Sequence, residues 1–361
     1  MPIVPSILFL CMHRPDRSPG QRYRFEQYLG DLRAAGVHCD VSWLLSEDDD
    51  RCFYSRGHIL RKAGIVVRSY IRRWEELRKI GNYDTVFIFR EALMTGSTFV
   101  ERGIARSRAR MILDFDDAIW LPQTSRNNRF FRFLKRPSKL GELAAMSDLV
   151  IAGNEYLAAY ARRYQQNTVV IPTTIDFSVY HTPVSSYERT PVVIGWTGSI
   201  TTIPHFRLAE SALLRIRERY GSRVRFKVIG DSGYTHPEIG ISGISWTAAC
   251  EVQELQELDI GIMPLPDDAW ARGKCACKGL QYMALGIPTV LSALGMNTEV
   301  VQHGENGLLA TTEDEWYEAL CALIESPELR SRLGRAGRAT VEQRYSRQAW
   351  SSTFVRLVSG E

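Results

Sequence analysis

Short apolar runs alternate with longer amphipathic stretches in both halves of the chain, the pattern of α/β domains built on parallel sheets. In the first half, Ile7–Cys11, Val37–Leu44, Thr85–Phe89, Met111–Leu113, Leu149–Ala152 and Thr168–Ile171 predict strands. Helical patterns fall between them, including Gln21–Ala35 and a basic stretch from about Leu60 to Ile80. Periodicity lapses after Pro172, and the polar segment to Thr190 reads as a linker. The alternation restarts at Val192, with a helix near Phe206–Tyr220 and strands over Val224–Ile229, Leu258–Met263 and Thr289–Leu291. A helical stretch from about Arg347 to Val358 follows. The expected fold class is α/β, with two Rossmann-like domains facing across an interdomain cleft. The expected divisions are an N-terminal domain over 1–175, a linker over 176–190, a C-terminal domain over 191–345, and a helix over 346–361 that packs back on the first domain.

The segment from Ile260 to Ala310 says most about chemistry. A short apolar strand stops at Pro264, a loop rich in turn formers and charge follows, and a helix is predicted from about Cys275 to Gly286. Strand ends that feed a loop and a helix start are where open α/β sheets bind phosphorylated ligands. The free N–H groups and positive dipole end of the helix favour an anion there. Lys274 and Lys278 stand four apart, so on a helix start they point the same way and suit a diphosphate. Basic residues near helix ends are also ordinary surface charge, which is the competing reading.

Composition narrows the class. The 361 residues, with 45% hydrophobic and 24% charged residues, fit a globular enzyme of two domains. A net charge of +4 argues for nothing by itself. The seven cysteines are an odd, scattered set that predicts free thiols in a reducing, cytoplasmic setting. No run approaches the ~20 apolar residues of a membrane span. The motif Cys275-Ala276-Cys277 has no partner His or Cys pair nearby, and no metal site is expected.

Further clusters sit at predicted strand ends. Gly195-Trp196-Thr197-Gly198-Ser199 closes one strand with two glycines, and Thr201 and Thr202 add hydroxyls. Val228-Ile229-Gly230-Asp231 repeats the arrangement, whereas no GxGxxG follows any strand, against a nicotinamide or flavin enzyme. Asp114-Phe115-Asp116-Asp117 reads either as a strand end capping the next helix or as carboxylates beside a reacting hydroxyl. Gly20 with Arg22 and Arg24 reads as a phosphate contact or as a solvated loop. Arg129-Phe130-Phe131-Arg132-Phe133-Leu134-Lys135-Arg136 suits a membrane interface. A second basic face is expected from Lys62, Arg68, Arg72, Arg73, Arg78 and Lys79, in competition with plain solvated helix surface. No nucleic-acid motif is present.

Across Val192–Ala310 the chain resembles glycosyltransferase family 4, the group 1 glycosyltransferases of GT-B architecture. The resemblance rests on Gly195–Ser199, the strand Asp259–Leu265, the run Gly273–Pro288 and the segment Glu299–Leu309, with weaker similarity at Leu113–Trp120, Gly153–Leu157 and Ile171–Asp176. It implies a retaining, metal-independent transfer of a sugar, of hexosyltransferase type, from a nucleotide diphosphate sugar, with no separate cofactor. The implied donor site takes in Gly198, Ser199, Thr202, Gly230, Asp268, Lys274, Lys278, Gly279, Gln281 and Glu299. Lys274 and Lys278 would neutralise the leaving diphosphate, and Asp116 and Asp117 would serve the acceptor hydroxyl. The family's paired glutamates fall here at Gly273 and Gln281, a departure at both positions. The expected partners are a nucleotide sugar and a glycan or lipid-linked acceptor, with peripheral contact at the inner face of an anionic membrane and no nucleic acid. The alternatives are a catalytically degenerate nucleotide-sugar-binding protein and a sugar-nucleotide epimerase of similar architecture.

Overall fold

The apolar runs of the first half form six parallel strands: β1 (Ser6–Cys11), β2 (His38–Trp43), β3 (Thr85–Phe89), β4 (Arg110–Phe115), β5 (Leu149–Ala152) and β6 (Thr168–Val170). Their order is β2-β1-β3-β4-β5-β6. Ile7 lies opposite both Cys39 and Thr85, and Phe89 lies opposite Asp114. The central strands β3 and β5 are buried along their whole length, so they read as unbroken apolar runs. The computed structural model describes residues 4–121 and 136–360. The chain divides into two units, Met1–Thr173 with Trp350–Glu361, and Thr174–Ala349.

The helix expected over Gln21–Ala35 is broken into Pro19–Arg24, Glu26–Tyr28 and Leu29–Ala34. The break falls at Phe25, whose φ of −127° leaves the helical range. Its ring is fully buried and stacks on Phe9 at 5.2 Å. The helix Arg347–Ser359 supplies Phe354 and Val358 to the same core, and Phe354 stacks on Tyr28 at 4.2 Å.

The second unit contains β7 (Val192–Thr197), β8 (Val224–Ile229), β9 (Thr235–His236), β10 (Ile241–Ser242), β11 (Ile260–Met263), β12 (Thr289–Ser292) and β13 (Leu308–Ala310). Five of these make a parallel sheet in the order β13-β12-β11-β7-β8, while β9 and β10 form a separate antiparallel pair. Its core gathers Trp196, Phe206, Leu213, Ile262 and Leu320, among others. Residues 176–190, aperiodic and read as a linker, are held within this unit by side chains. Tyr187 donates to the Gly286 carbonyl at 2.8 Å, and Arg189 donates to Asp259 at 2.8 Å.

The expected second basic face does not form as a set. On the helix Ile59–Leu77, Lys62 and Arg73 are buried. Arg73 donates to the carbonyls of Ala92 and Cys11 and pairs with Glu76 at 2.6 Å. Arg68 pairs with Asp49 at 2.5 Å and Arg72 with Glu76 at 3.3 Å. Lys62 and Arg73 are thus spent on the interior, whereas Arg68, Arg72, Arg78 and Lys79 stay exposed. The aromatic–basic segment Arg129–Arg136 lies, except for Arg136, outside the described residues. Among the described residues, no helix is long and apolar enough to cross a membrane.

Candidate functional site

In the second unit β7 lies between β11 and β8, all parallel, so the loops leaving their C-terminal ends share one edge of the sheet. Two of these loops meet backbone to backbone. The Gly198 N–H donates to the Ile229 carbonyl at 2.9 Å. Gly230 has φ +122°, and a Cβ there would stand 1.7 Å from the Gly198 carbonyl oxygen. This close approach explains Gly230 by packing alone. The Ser199 and Thr202 hydroxyls close a capping box on the turn Ile200–Thr202, and Ser199 Oγ lies 2.9 Å from Thr201 Oγ1.

The basic loop departs from the sequence expectation. Asp268 caps the short helix Ala269–Arg272, accepting from the Ala271 N–H at 2.7 Å. Gly273 ends that helix, and Ala276 adopts a left-handed φ of 52° before the helix Cys277–Ala284 begins. The helix therefore starts two residues later than predicted, and Lys274 precedes it. The i, i+4 argument for the two lysines does not hold. Each lysine lies instead beside an indole ring. Lys278 Nζ lies 5.7 Å from the Trp196 ring centre and Lys274 Nζ 5.2 Å from that of Trp270.

Both lysines act on His205, on the turn Ile203–Phe206 after the Ser199 box. Burial first, then the charges of Lys278 and Lys274, push its imidazole down to about 4, with Asp268 opposing. His205, Lys274, Lys278 and Asp268 thus share one electrostatic neighbourhood at the sheet edge. In the sequence, His205 follows Pro204, close after the glycine turn Gly195–Ser199.

The depressed imidazole has a consequence for stability. The His205 imidazole is pushed down to about 4 in the folded chain from an ordinary value of 6.5, so the unfolded chain takes up the proton first as pH falls. Its contribution to stability is complete above about pH 6.5 and is lost down to about pH 4. Urea unfolding across this window is expected to show a shallower loss of stability for His205→Asn than for the parent. Equal slopes would remove His205 as the cause.

The remaining predicted donor residues differ in their surroundings. Gly279 packs its helix against β12, since a Cβ there would meet Leu291 at 2.7 Å; packing rather than ligand approach accounts for it. Glu299 is exposed on the helix Met296–Val300. Gln281 is buried, with its amide Nε2 donating to Tyr180 at 2.8 Å. A concave pocket of about 1050 Å³, lined by Tyr187, Gly286, Arg335 and Arg338 among others, lies at the other end of the helix Cys277–Ala284, away from the lysines.

In the first unit, Asp114 accepts two bonds from Arg24, at 2.5 Å and 3.2 Å, with both side chains buried. Arg24 also donates to the Ile171 carbonyl. This corrects the expectation that Arg24 contacts a phosphate, because its guanidinium is committed inside the sheet. Arg22, mostly buried on the helix Pro19–Arg24, lies 3.7 Å from Asp16. Arg90, not singled out from sequence, bridges the other two carboxylates. Its Nε donates to Asp116 at 2.8 Å and its Nη2 to Asp117 at 2.6 Å. Gly20 fits closely over this group, and a Cβ there would lie 2.8 Å from Asp116 Oδ2. Asp114, Asp116 and Asp117 are each partnered by an arginine.

Two units with parallel sheets of six and five strands, the second carrying a basic, glycine-lined strand edge, define a GT-B protein. Residues 191–326 match the family model for glycosyl transferases group 1. Sucrose-phosphate synthase from Thermosynechococcus elongatus has the same fold, with TM-score 0.70, 14% identity and 98% of each chain covered. HepE of Anabaena, solved in complex with UDP and glucose, gives TM-score 0.68 at 16% identity over 99% of this chain and 100% of that one. A glycosyltransferase from Rickettsia africae gives TM-score 0.64 at 11% identity over 99% and 98%. No curated protein sequence matches the chain.

Proposed function

We propose that the protein transfers a hexosyl group from a nucleotide diphosphate sugar to a glycan or lipid-linked acceptor, with retention at the anomeric carbon and without a metal. The observation that carries this reading is the grouping of Lys274, Lys278 and His205 where the helix Cys277–Ala284 begins, within the residues that match the group 1 glycosyltransferase model. As the bond between the anomeric carbon and the diphosphate breaks, negative charge grows on the leaving phosphate oxygen. Two ammonium groups and the helix N–H groups are the charges that would stabilise it. Asp116 and Asp117, both held by Arg90, suit orientation of an acceptor hydroxyl. The complex of HepE with UDP and glucose supports a nucleotide-sugar ligand for the same fold.

Gly273 favours a second reading, a nucleotide-sugar-binding protein without turnover. It has no side chain where the resemblance implies a glutamate, and it serves as the end of the helix Ala269–Arg272. One experiment separates these readings from an epimerase: incubation with a panel of uridine and guanosine diphosphate sugars. Release of the nucleoside diphosphate supports the transferase, isomerised sugar without release the epimerase, and binding without either product the degenerate case. Activity is expected to persist in EDTA, because lysines and helix N–H groups supply the positive charge. Loss in EDTA restored by Mg²⁺ or Mn²⁺ would overturn metal independence.

A further inference from the structure

The helix Ile59–Leu77 is packed with its polar side inward. Lys62, Ser69 and Arg73 are buried, Lys62 donating to the Ser55 carbonyl at 2.6 Å and Arg73 to the carbonyls of Ala92 and Cys11. Glu76 joins them through its pair with Arg73 and accepts from the Ser42 hydroxyl. The opposite side carries Leu60, Val67, Ile71 and Trp74, which are 90%, 57%, 54% and 50% exposed. Steps of seven, four and three residues set these four side chains along one stripe of an α-helix. Trp74 widens the stripe by stacking at 5.6 Å on Phe99, itself exposed at the start of the helix Phe99–Ala105. Scattered apolar residues on a surface need no explanation. A continuous apolar stripe on a helix that turns its polar side inward marks a contact.

The charge around the stripe selects the kind of contact. Arg61, Arg68, Arg72 and Lys79 follow one flank of it, and Arg78 lies in line with it, its guanidinium 6.0 Å from the Trp74 ring centre. All five are exposed. Arg68 and Arg72 share their charge with Asp49 and Glu76, whereas Arg61, Arg78 and Lys79 enter no ion pair among the described residues. Eight basic and two acidic residues between Arg56 and Lys79 give this segment a net charge of +6, against +4 for the whole chain. A second copy of the chain would meet like charge here, which opposes self-association through this face. An indole and guanidinium groups beside Leu, Val and Ile suit the boundary between lipid headgroups and acyl chains.

We propose that the outward face of the helix Ile59–Leu77, together with Phe99, docks the protein on an anionic lipid surface. The apolar stripe enters the headgroup boundary, and Arg61, Arg78 and Lys79 meet the lipid phosphates. In the sequence this helix stood out for its cations alone. The fold turns two of them inward and leaves outside an apolar stripe that the basic pattern had masked. The face belongs to the first unit, so the assignment stands apart from the nucleotide site of the second.

Sedimentation with vesicles of equimolar phosphatidylglycerol and phosphatidylcholine, and of phosphatidylcholine alone, tests the assignment. At low salt the parent protein is expected to bind the anionic vesicles at least about tenfold more tightly than the neutral ones, with release as salt is raised. Val67→Ser with Ile71→Ser should weaken binding by about tenfold or more, because both side chains then lose their apolar burial. Arg61→Glu with Lys79→Glu should weaken it by about tenfold or more and remove most of the salt dependence. All four residues are exposed, so the urea midpoint of both variants should match that of the parent. Binding that is equal in the parent and both variants places the contact elsewhere in the chain and overturns the assignment. Failure of the parent to bind anionic vesicles at low salt overturns it as well. Self-association of the parent that the serine pair abolishes, without vesicle binding, gives the stripe to a second copy and likewise overturns it.

Discussion

Arg24→Leu should unfold the first unit at denaturant concentrations where the parent chain is intact, a loss of about 3–5 kcal/mol. The cost comes from what the substitution leaves behind. Asp114 is fully buried at the end of β4 and receives two hydrogen bonds from Arg24. Burial pushes its carboxyl up from the ordinary value, and the Arg24 guanidinium opposes that push. Without the arginine, a buried carboxylate must take a proton or draw in water, and the Ile171 carbonyl also loses a donor. Replacing both partners, Arg24→Leu with Asp114→Leu, should recover much of the loss, because apolar pairs often substitute for buried ion pairs. Urea unfolding followed by tryptophan fluorescence reads both effects. A single variant within about 1 kcal/mol of the parent would show that the pair is dispensable.

Lys278→Ala should weaken nucleoside diphosphate binding by about 1.5–3 kcal/mol, or about 10- to 150-fold, and slow transfer with it. The lysine stands in the first turn of the helix Cys277–Ala284, where its charge adds to that of the free N–H groups. Its closeness to Trp196 limits water on one side, which strengthens the interaction with an anion. Lys274→Ala should act in the same direction, with both effects shrinking as salt is raised. Titration calorimetry with UDP and GDP measures the affinity, and nucleotide release measures the rate. Unchanged binding in both single variants would remove the lysines from the site.

Much of the fold was readable because parallel strands buried on both faces leave continuous apolar runs. Thr85–Phe89, Leu149–Ala152 and Val224–Ile229 were delimited to the residue. The strand Leu308–Ala310 and the short pair β9–β10 escaped, since two or three residues carry too little pattern. The location of the basic edge was readable from strand, loop and helix order. Its geometry was not: Ala276 in a left-handed conformation delays the helix, and nothing about alanine announces that. Buried charges were also opaque. Arg24, Lys62 and Arg73 look like surface cations until partners distant in sequence are known, as with Asp114, 90 positions beyond Arg24. Gln281 was found through resemblance, whereas Tyr180 is joined to it only by folding.

The core of the first unit is discontinuous in sequence, because Phe354 and Val358 enter it only after the whole second unit has been made. During synthesis from the N-terminus, residues 1–173 therefore emerge with Tyr28 and Phe87 lacking the ring of Phe354 that covers them. The intervening 174–349 can fold meanwhile as a self-contained body. The nascent chain thus exposes an apolar groove for the time needed to translate some 180 codons, roughly 10–35 s at ordinary elongation rates. In that interval the groove is a natural target for chaperones, and for the equivalent helix of a neighbouring nascent chain on the same message.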